Sequence, residues 1–217
     1  RRVTVDLEVH VPKQAGMDAR TGRGNIKITG LAGSIAADSK RGDVEIRDAG
    51  KDVQAQIRSG MLQVSSVKGN VRVSGRGSDI DVSDVEGDAS IEGEFSGPIR
   101  VKNVAKSTRF LSQRTDLTIG ALAGRLELDS GDLRVYDANG NVTLTTSHKD
   151  VRMDNVSGRI RIDNKKGDVE LRLKNAPKDE IEVNNESARI DVTLPASSAF
   201  EIQASSRNGD IDTGFEG

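Results

Sequence analysis

The chain has 217 residues, of which 34% are hydrophobic, 30% charged and only 2% aromatic, with no Trp and a single Tyr. A net charge of −2 argues against general nucleic-acid binding, which needs a basic surface. The absence of cysteine removes disulfides, thiolate metal sites and a cysteine nucleophile, and no apolar run is long enough to predict a membrane span.

Residues 2–11, RVTVDLEVHV, alternate strictly, with Val3, Val5, Leu7, Val9 and Val11 set between polar neighbours. This period of two predicts a half-buried strand that ends at Pro12. The strand is expected to cap the stack that follows, because terminal units of repeat proteins depart from internal ones. The chain opens Arg1-Arg2-Val3 without an initiator Met, so we expect a segment, signal or anchor upstream.

From Gly24 onward one pattern repeats. A first apolar slot falls at Ile26, Val44, Leu62, Ile80, Ile99, Leu117, Leu133, Val151, Val169, Ile190 and Ile211, in steps of 18, 18, 18, 19, 18, 16, 18, 18, 21 and 21. A second falls at Ile35, Val53, Val71, Ala89, Thr108, Leu126, Val142, Ile160, Ile181 and Phe200. A single apolar residue lies between them, at Leu31, Ala49, Val67, Val85, Val104, Leu122, Ala138 and Val156. Each unit therefore reads as two short alternating strands and one inward aliphatic on the connection.

Strands this short cannot close a core alone, but stacked turns bury a continuous one. Equivalent strands about 4.8 Å apart would pair in parallel, and about ten turns give a rod of roughly 45–50 Å. Parallel crossovers are right-handed. The predicted fold is all-β, a right-handed parallel β-helix (β-solenoid) of about ten coils of about 18 residues. It forms one domain over residues 1–217: a capping strand and first half-coil in 1–23, then repeats in 24–217 that we expect to continue past Gly217. Corner glycines such as Gly42 and Gly87 predict turns that need positive φ. The 16-residue step from Leu117 to Leu133 predicts one shortened corner near Ser130.

An Asp follows many corner glycines, at Asp43, Asp79, Asp116, Asp132, Asp150, Asp168 and Asp210. Two readings compete: a carboxylate ladder for Ca²⁺, or corner residues that bond nearby backbone N–H groups. Met61, Pro98 and Arg189 interrupt the series and the doubled glycine of calcium-binding repeats is missing, which favours the second. Asp116, Asp132, Asp150 and Asp168 are the places to look for a cation; no other cofactor is expected.

Outward positions of the first strand carry Arg100, Lys102, Arg134, Arg152 and Arg172, with Tyr136 among them. They read either as a stripe for an acidic ligand or as a mixed, solvated face, since Thr118, Asp154 and Glu170 are interspersed. Only two histidines are present, His10 and His148, far apart in the repeat order. No Ser/His/Asp triad or metal cluster can be drawn, and the short corners leave no loops for a cleft, so no catalytic residues are assigned. Phe110 and Phe200 fall in inward slots and read as core.

The recurrent G-[DN]-[IV]-x-[VIL] unit, the opening VDLEVHVPKQAGMDARTGRGNIKITGLAGSI and the RNGDIDTGF near the end resemble a bacterial family labelled adhesins by analogy, a β-helical domain of unknown function with Gly-Asp-Ile/Val repeats. The resemblance implies an extracytoplasmic protein, periplasmic or at the cell surface, and brings no catalytic residues. The expected function is a non-enzymatic envelope module, adhesin-like or a surface scaffold, whose partner is an envelope protein or glycan. The alternatives are a structural solenoid that associates end to end, and a carbohydrate-active β-helix enzyme.

Overall fold

The computed structural model describes residues 8–196 together with Ser198, Glu201 and Gly214. Val3, Val5, Leu7, Phe200, Asp210 and Ile211 lie outside the described residues. All eighteen elements among the described residues are β-strands. They form a solenoid of about ten turns built as two facing ladders.

The first ladder stacks β2 (Ile26–Thr29), β4 (Val44–Ala49), β6 (Leu62–Val67), β8 (Ile80–Val85) and β10 (Ile99–Val104). It continues through the second half of β12 (Thr115–Leu128), the first half of β13 (Asp132–Thr146), β14 (Asp150–Val156), β16 (Val169–Arg172) and β18 (Ile190–Thr193). The second ladder stacks β1 (Met17–Thr21), β3 (Ile35–Ser39), β5 (Val53–Ile57), β7 (Val71–Gly77), β9 (Ala89–Phe95) and β11 (Thr108–Leu111). The other halves of β12 and β13, then β15 (Ile160–Lys166) and β17 (Ile181–Ser187), complete it.

Register follows the apolar slots. Val44 pairs Ile26 below and Leu62 above, and Val53 pairs Ile35 and Val71. The inward side chains merge into one core running from Ile26 to Leu173. Residues such as Ile46, Val64 and Ile80 are fully buried, each worth about 1.5–3 kcal/mol of transfer free energy. Phe110 is buried among them.

In six coils the connection from first to second ladder turns on one left-handed non-glycine residue. Asp48, Ser66, Asp84, Asn103, Asp137 and Asn155 have φ of 57, 58, 56, 50, 55 and 55°. Each sits just before the single inward aliphatic, and the bend swings that aliphatic into the core. Asn and Asp tolerate this region better than other non-glycine residues. Asn103 Nδ2 donates to Asp84 Oδ1 at 2.9 Å and Asn155 Nδ2 to Asp137 Oδ1 at 2.5 Å, tying successive bends together.

One coil departs from the uniformly parallel reading. β12 runs antiparallel to β10 and β11 on one side and to β13 on the other. The chain makes a tight reversal at 112–114, retraces a full coil, reverses again at 129–131 and resumes its direction. Leu117 therefore belongs to the second ladder, opposite Phe110 and Leu144, and Leu126 to the first, opposite Val101 and Val135. The expected shortened corner near Ser130 is instead the second hairpin turn. There the Asp129 carboxylate accepts from the Gly131 and Asp132 N–H groups at 2.9 and 2.8 Å. Lys149, 9% exposed, closes the open side of this coil by donating from Nζ to the Asp129 carbonyl. Beneath it the Thr115 and Thr146 hydroxyls meet at 3.0 Å.

Two further expectations change. The described tail of the predicted capping strand, residues 8–11, is not a strand; Val9 and Val11 are 55% and 37% exposed, with no ladder pairing them. Corner glycines also have two distinct causes. Gly42 has φ +135° and leaves 2.2 Å between a would-be Cβ and the Gly24 carbonyl oxygen. Gly87 has no positive φ; there the coil below lies too close for a side chain, with the Asn70 side chain 2.4 Å from a would-be Cβ.

Candidate binding face

The alternation within each strand sends every second side chain outward, so the outer surface of the first ladder is a two-column lattice. One column reads Lys27, Glu45, Gln63, Asp81, Arg100, Glu127, Arg134, Arg152, Glu170 and Asp191. The parallel column carries Lys102, Arg125, Tyr136, Asp154 and Arg172 over the same stretch. All six residues expected on one face, Arg100, Lys102, Arg134, Tyr136, Arg152 and Arg172, lie on it.

Their pairing is uneven. Arg134 Nη2 meets Asp132 Oδ2 at 2.6 Å, and Arg152 Nε lies 3.4 Å from Asp154 and 3.3 Å from Glu170. Arg172 is paired with Glu170. Arg100 and Lys102 make no ion pair among the described residues. Sequence reasoning missed Arg125, because β12 was placed in the opposite ladder. The reversal brings it onto this face, between Lys102 and Tyr136, where its guanidinium lies 4.3 Å from the tyrosine ring centroid and its Nε 3.0 Å from Glu127. Such stacking fixes both groups and contributes about 0.5–1 kcal/mol at an exposed site. Toward β16 the surface is a charge-balanced lattice; at β10–β12–β13 it is locally basic.

The four cation candidates separate. Asp116 lies on the second ladder, in register with Leu111 and Thr145, and pairs with Arg109 Nη2 at 3.5 Å. The reversed coil thus removes it from the series. Asp132 and Asp150 remain in register. Asp150 Oδ1 accepts the Asp168 N–H at 2.9 Å, and Asp168 Oδ1 accepts the Arg189 N–H at 3.1 Å. The same device holds Asp43 to the coils on either side: its N–H donates to Asn25 Oδ1 and its Oδ1 accepts from Met61 N, both at 2.9 Å. At the other corner Asp52, Asn70 and Asp88 accept from the coil above in turn. The corner carboxylates act as coil-to-coil caps, and among the described residues no three His, Asp or Glu side chains converge as a metal site. No helix among the described residues is long and apolar enough to cross a membrane.

No curated protein and no solved structure matches the chain. A family model does, over residues 4–216, which is nearly the whole length and every coil described above. The chain belongs to the Toastrack DUF4097 family, a domain of unknown function whose β-solenoid it shares.

Proposed function

We propose that this chain is a non-enzymatic scaffold of the bacterial envelope, outside the cytoplasm, that presents the outer surface of β10, β12 and β13 to a negatively charged surface partner. The observation that supports it is Lys102, which makes no ion pair among the described residues and lies in register with the stacked Arg125 and Tyr136, with Arg100 two residues before it on the same face. Unpaired cations beside a fixed ring suit adhesion better than chemistry, which would need groups positioned to exchange protons. The acids at the corners hold backbone N–H groups, so the scaffold works without a resident metal.

Two measurements test this. Fractionation of the native cell should place the full-length protein with the envelope; a cytoplasmic location overturns the assignment. Immobilised acidic envelope polymers should retain the wild-type chain and release it as salt rises. A Lys102→Gln, Arg125→Gln variant that binds as well as wild type would remove this face from consideration. Turnover of any envelope polysaccharide by the purified chain would instead favour an enzyme.

A further inference from the structure

A second site lies where the second ladder turns back to the first, at the edge of β5, β7 and β9. In this ladder β1, β3, β5 and β11 run only four or five residues, whereas β7 and β9 run seven each, as β15 and β17 do further along. Gly75 and Gly93 permit the extension. They are in register, at φ +122° and +147°, and a Cβ on Gly93 would sit 1.9 Å from the Gly75 carbonyl oxygen. Beyond them the strands continue to pair, Arg76 with Glu94 and Gly77 with Phe95. The result is a ledge with an open groove of about 570 Å³, within the roughly 300–1,000 Å³ typical of small-ligand sites.

Its chemistry is specific. Phe95 is half-buried against the core, and its cross-strand partner Gly77 has no side chain to cover the ring. Arg58 and Arg76 follow the in-register pair Ile57–Gly75 by one residue and both line the groove, so two arginines stand at the same step of successive coils. Like charges opposite each other are unfavourable; Lys27–Glu45 and Arg161–Glu182 set opposite signs across coils, and Arg134 and Arg152, which do meet in register, each have an acid partner. Here neither arginine makes an ion pair among the described residues. Glu94 faces Arg76 in register, yet its carboxylate accepts the Gln113 N–H at 2.7 Å. Ser78 and Ser96 also line the groove; their hydroxyls donate to the Gly60 and Gly77 carbonyls, and each oxygen keeps its capacity to accept.

We infer that this groove binds an acidic oligosaccharide of the uronic-acid type. A sugar carboxylate bridges Arg58 and Arg76 and relieves their repulsion, the apolar face of the pyranose ring lies on Phe95, and ring hydroxyls donate to Ser78 and Ser96. The site is separate from the β10–β13 face, so its failure would leave the proposed function standing.

The test uses the full chain with tri-galacturonate as probe, and neutral galactotriose and triglutamate as comparisons. Amide chemical shifts should move at Gly60, Gly77, Ser78 and Phe95, and not around Lys102 and Tyr136. Arg58→Gln with Arg76→Gln should weaken binding about tenfold or more; both side chains are exposed, so the fold is retained. Phe95→Leu, checked for an unchanged strand signal, should weaken it several-fold. Equal binding by triglutamate would overturn the sugar assignment. Equal binding by the double variant, shifts confined to the β10–β13 face, or no binding at all would overturn the site.

Discussion

Gly93→Ala is the sharpest probe of how closely the coils approach. The added Cβ would lie 1.9 Å from the Gly75 carbonyl oxygen and 2.9 Å from its carbon, at φ +147°, where L-residues are strained. Strained backbone costs about 1–3 kcal/mol, and forcing a methyl into filled space about as much again. A loss of about 3 kcal/mol is therefore expected. At a urea slope of about 2 kcal/mol/M, this lowers the midpoint by about 1.5 M. Gly131→Ala is the control: its nearest atom, Asp129 Oδ1, is 4.0 Å away and its φ is not positive, so it should stay within about 0.5 kcal/mol of wild type. Urea titration can be followed by far-UV circular dichroism for all coils and by fluorescence of the single tyrosine, Tyr136, for the middle of the stack. Coincident transitions would license the two-state treatment. If Gly93→Ala unfolds at the same urea concentration as Gly131→Ala, the close coil approach argued for the ledge is wrong.

Other expectations follow from the same geometry. Thr108 is fully buried and its Oγ1 has no hydrogen-bond partner among the described residues, so Thr108→Val should raise stability by about 1 kcal/mol in the same titration. Asn155→Gly should be nearly neutral and Asn155→Val destabilising by about 1–2 kcal/mol, because β-branched residues tolerate the left-handed region least; equal effects would remove the bend from the argument. Cysteines at Arg109 and Thr118, in register across β11 and β12, should form a disulfide on mild oxidation; failure to cross-link in the folded protein would refute the reversed coil. The N–H of Asp132, helped by that of Gly131 and by nearby Lys149, holds the Asp129 carboxyl below the usual carboxylate range. A lowered folded-state pKa gives stability that is present above the unfolded value and lost as pH falls through the folded one. Asp129→Ala should thus destabilise at neutral pH, and its deficit should close only in acid below the ordinary carboxylate range.

The repeat phase was legible because every coil needs the same inward slots, and packing tolerates little deviation from them. Val44 over Ile26 and Val53 over Ile35 could be read directly. The reversal was not, because alternation has no direction: Leu117, Ile119, Leu126 and Leu128 present the same buried pattern whichever way the strand runs. Its traces were the 16-residue step and the Ser130-Gly131 turn, which a shortened corner explained equally well. That one ambiguity misplaced Arg125 and kept Asp116 in a carboxylate series it does not join. The ledge left a fainter mark. Gly75 and Gly93 stand inside strand patterns, a signal of close backbone approach, while Phe95 occupies none of the repeating slots.

The retraced coil makes part of this protein a separable insert. Ile99, Val101 and Val104 of β10 match Leu133, Val135 and Ala138 of β13 in both spacing and facing, as Thr108 and Phe110 of β11 match Val142 and Leu144. Strands on either side of β12 are thus already phased to meet each other. Excising residues 116–131 would leave Gln113, Arg114, Thr115 and Asp132 between Ser112 and Leu133, as Lys40 to Asp43 stand between Ser39 and Val44. The shortened chain should close as an unbroken, one-way spiral with one coil fewer. Lineages bearing this fold could gain or shed the doubled-back segment in a single genetic step without disturbing their neighbours. Gaining it would create the Arg125–Tyr136 stack at the same stroke.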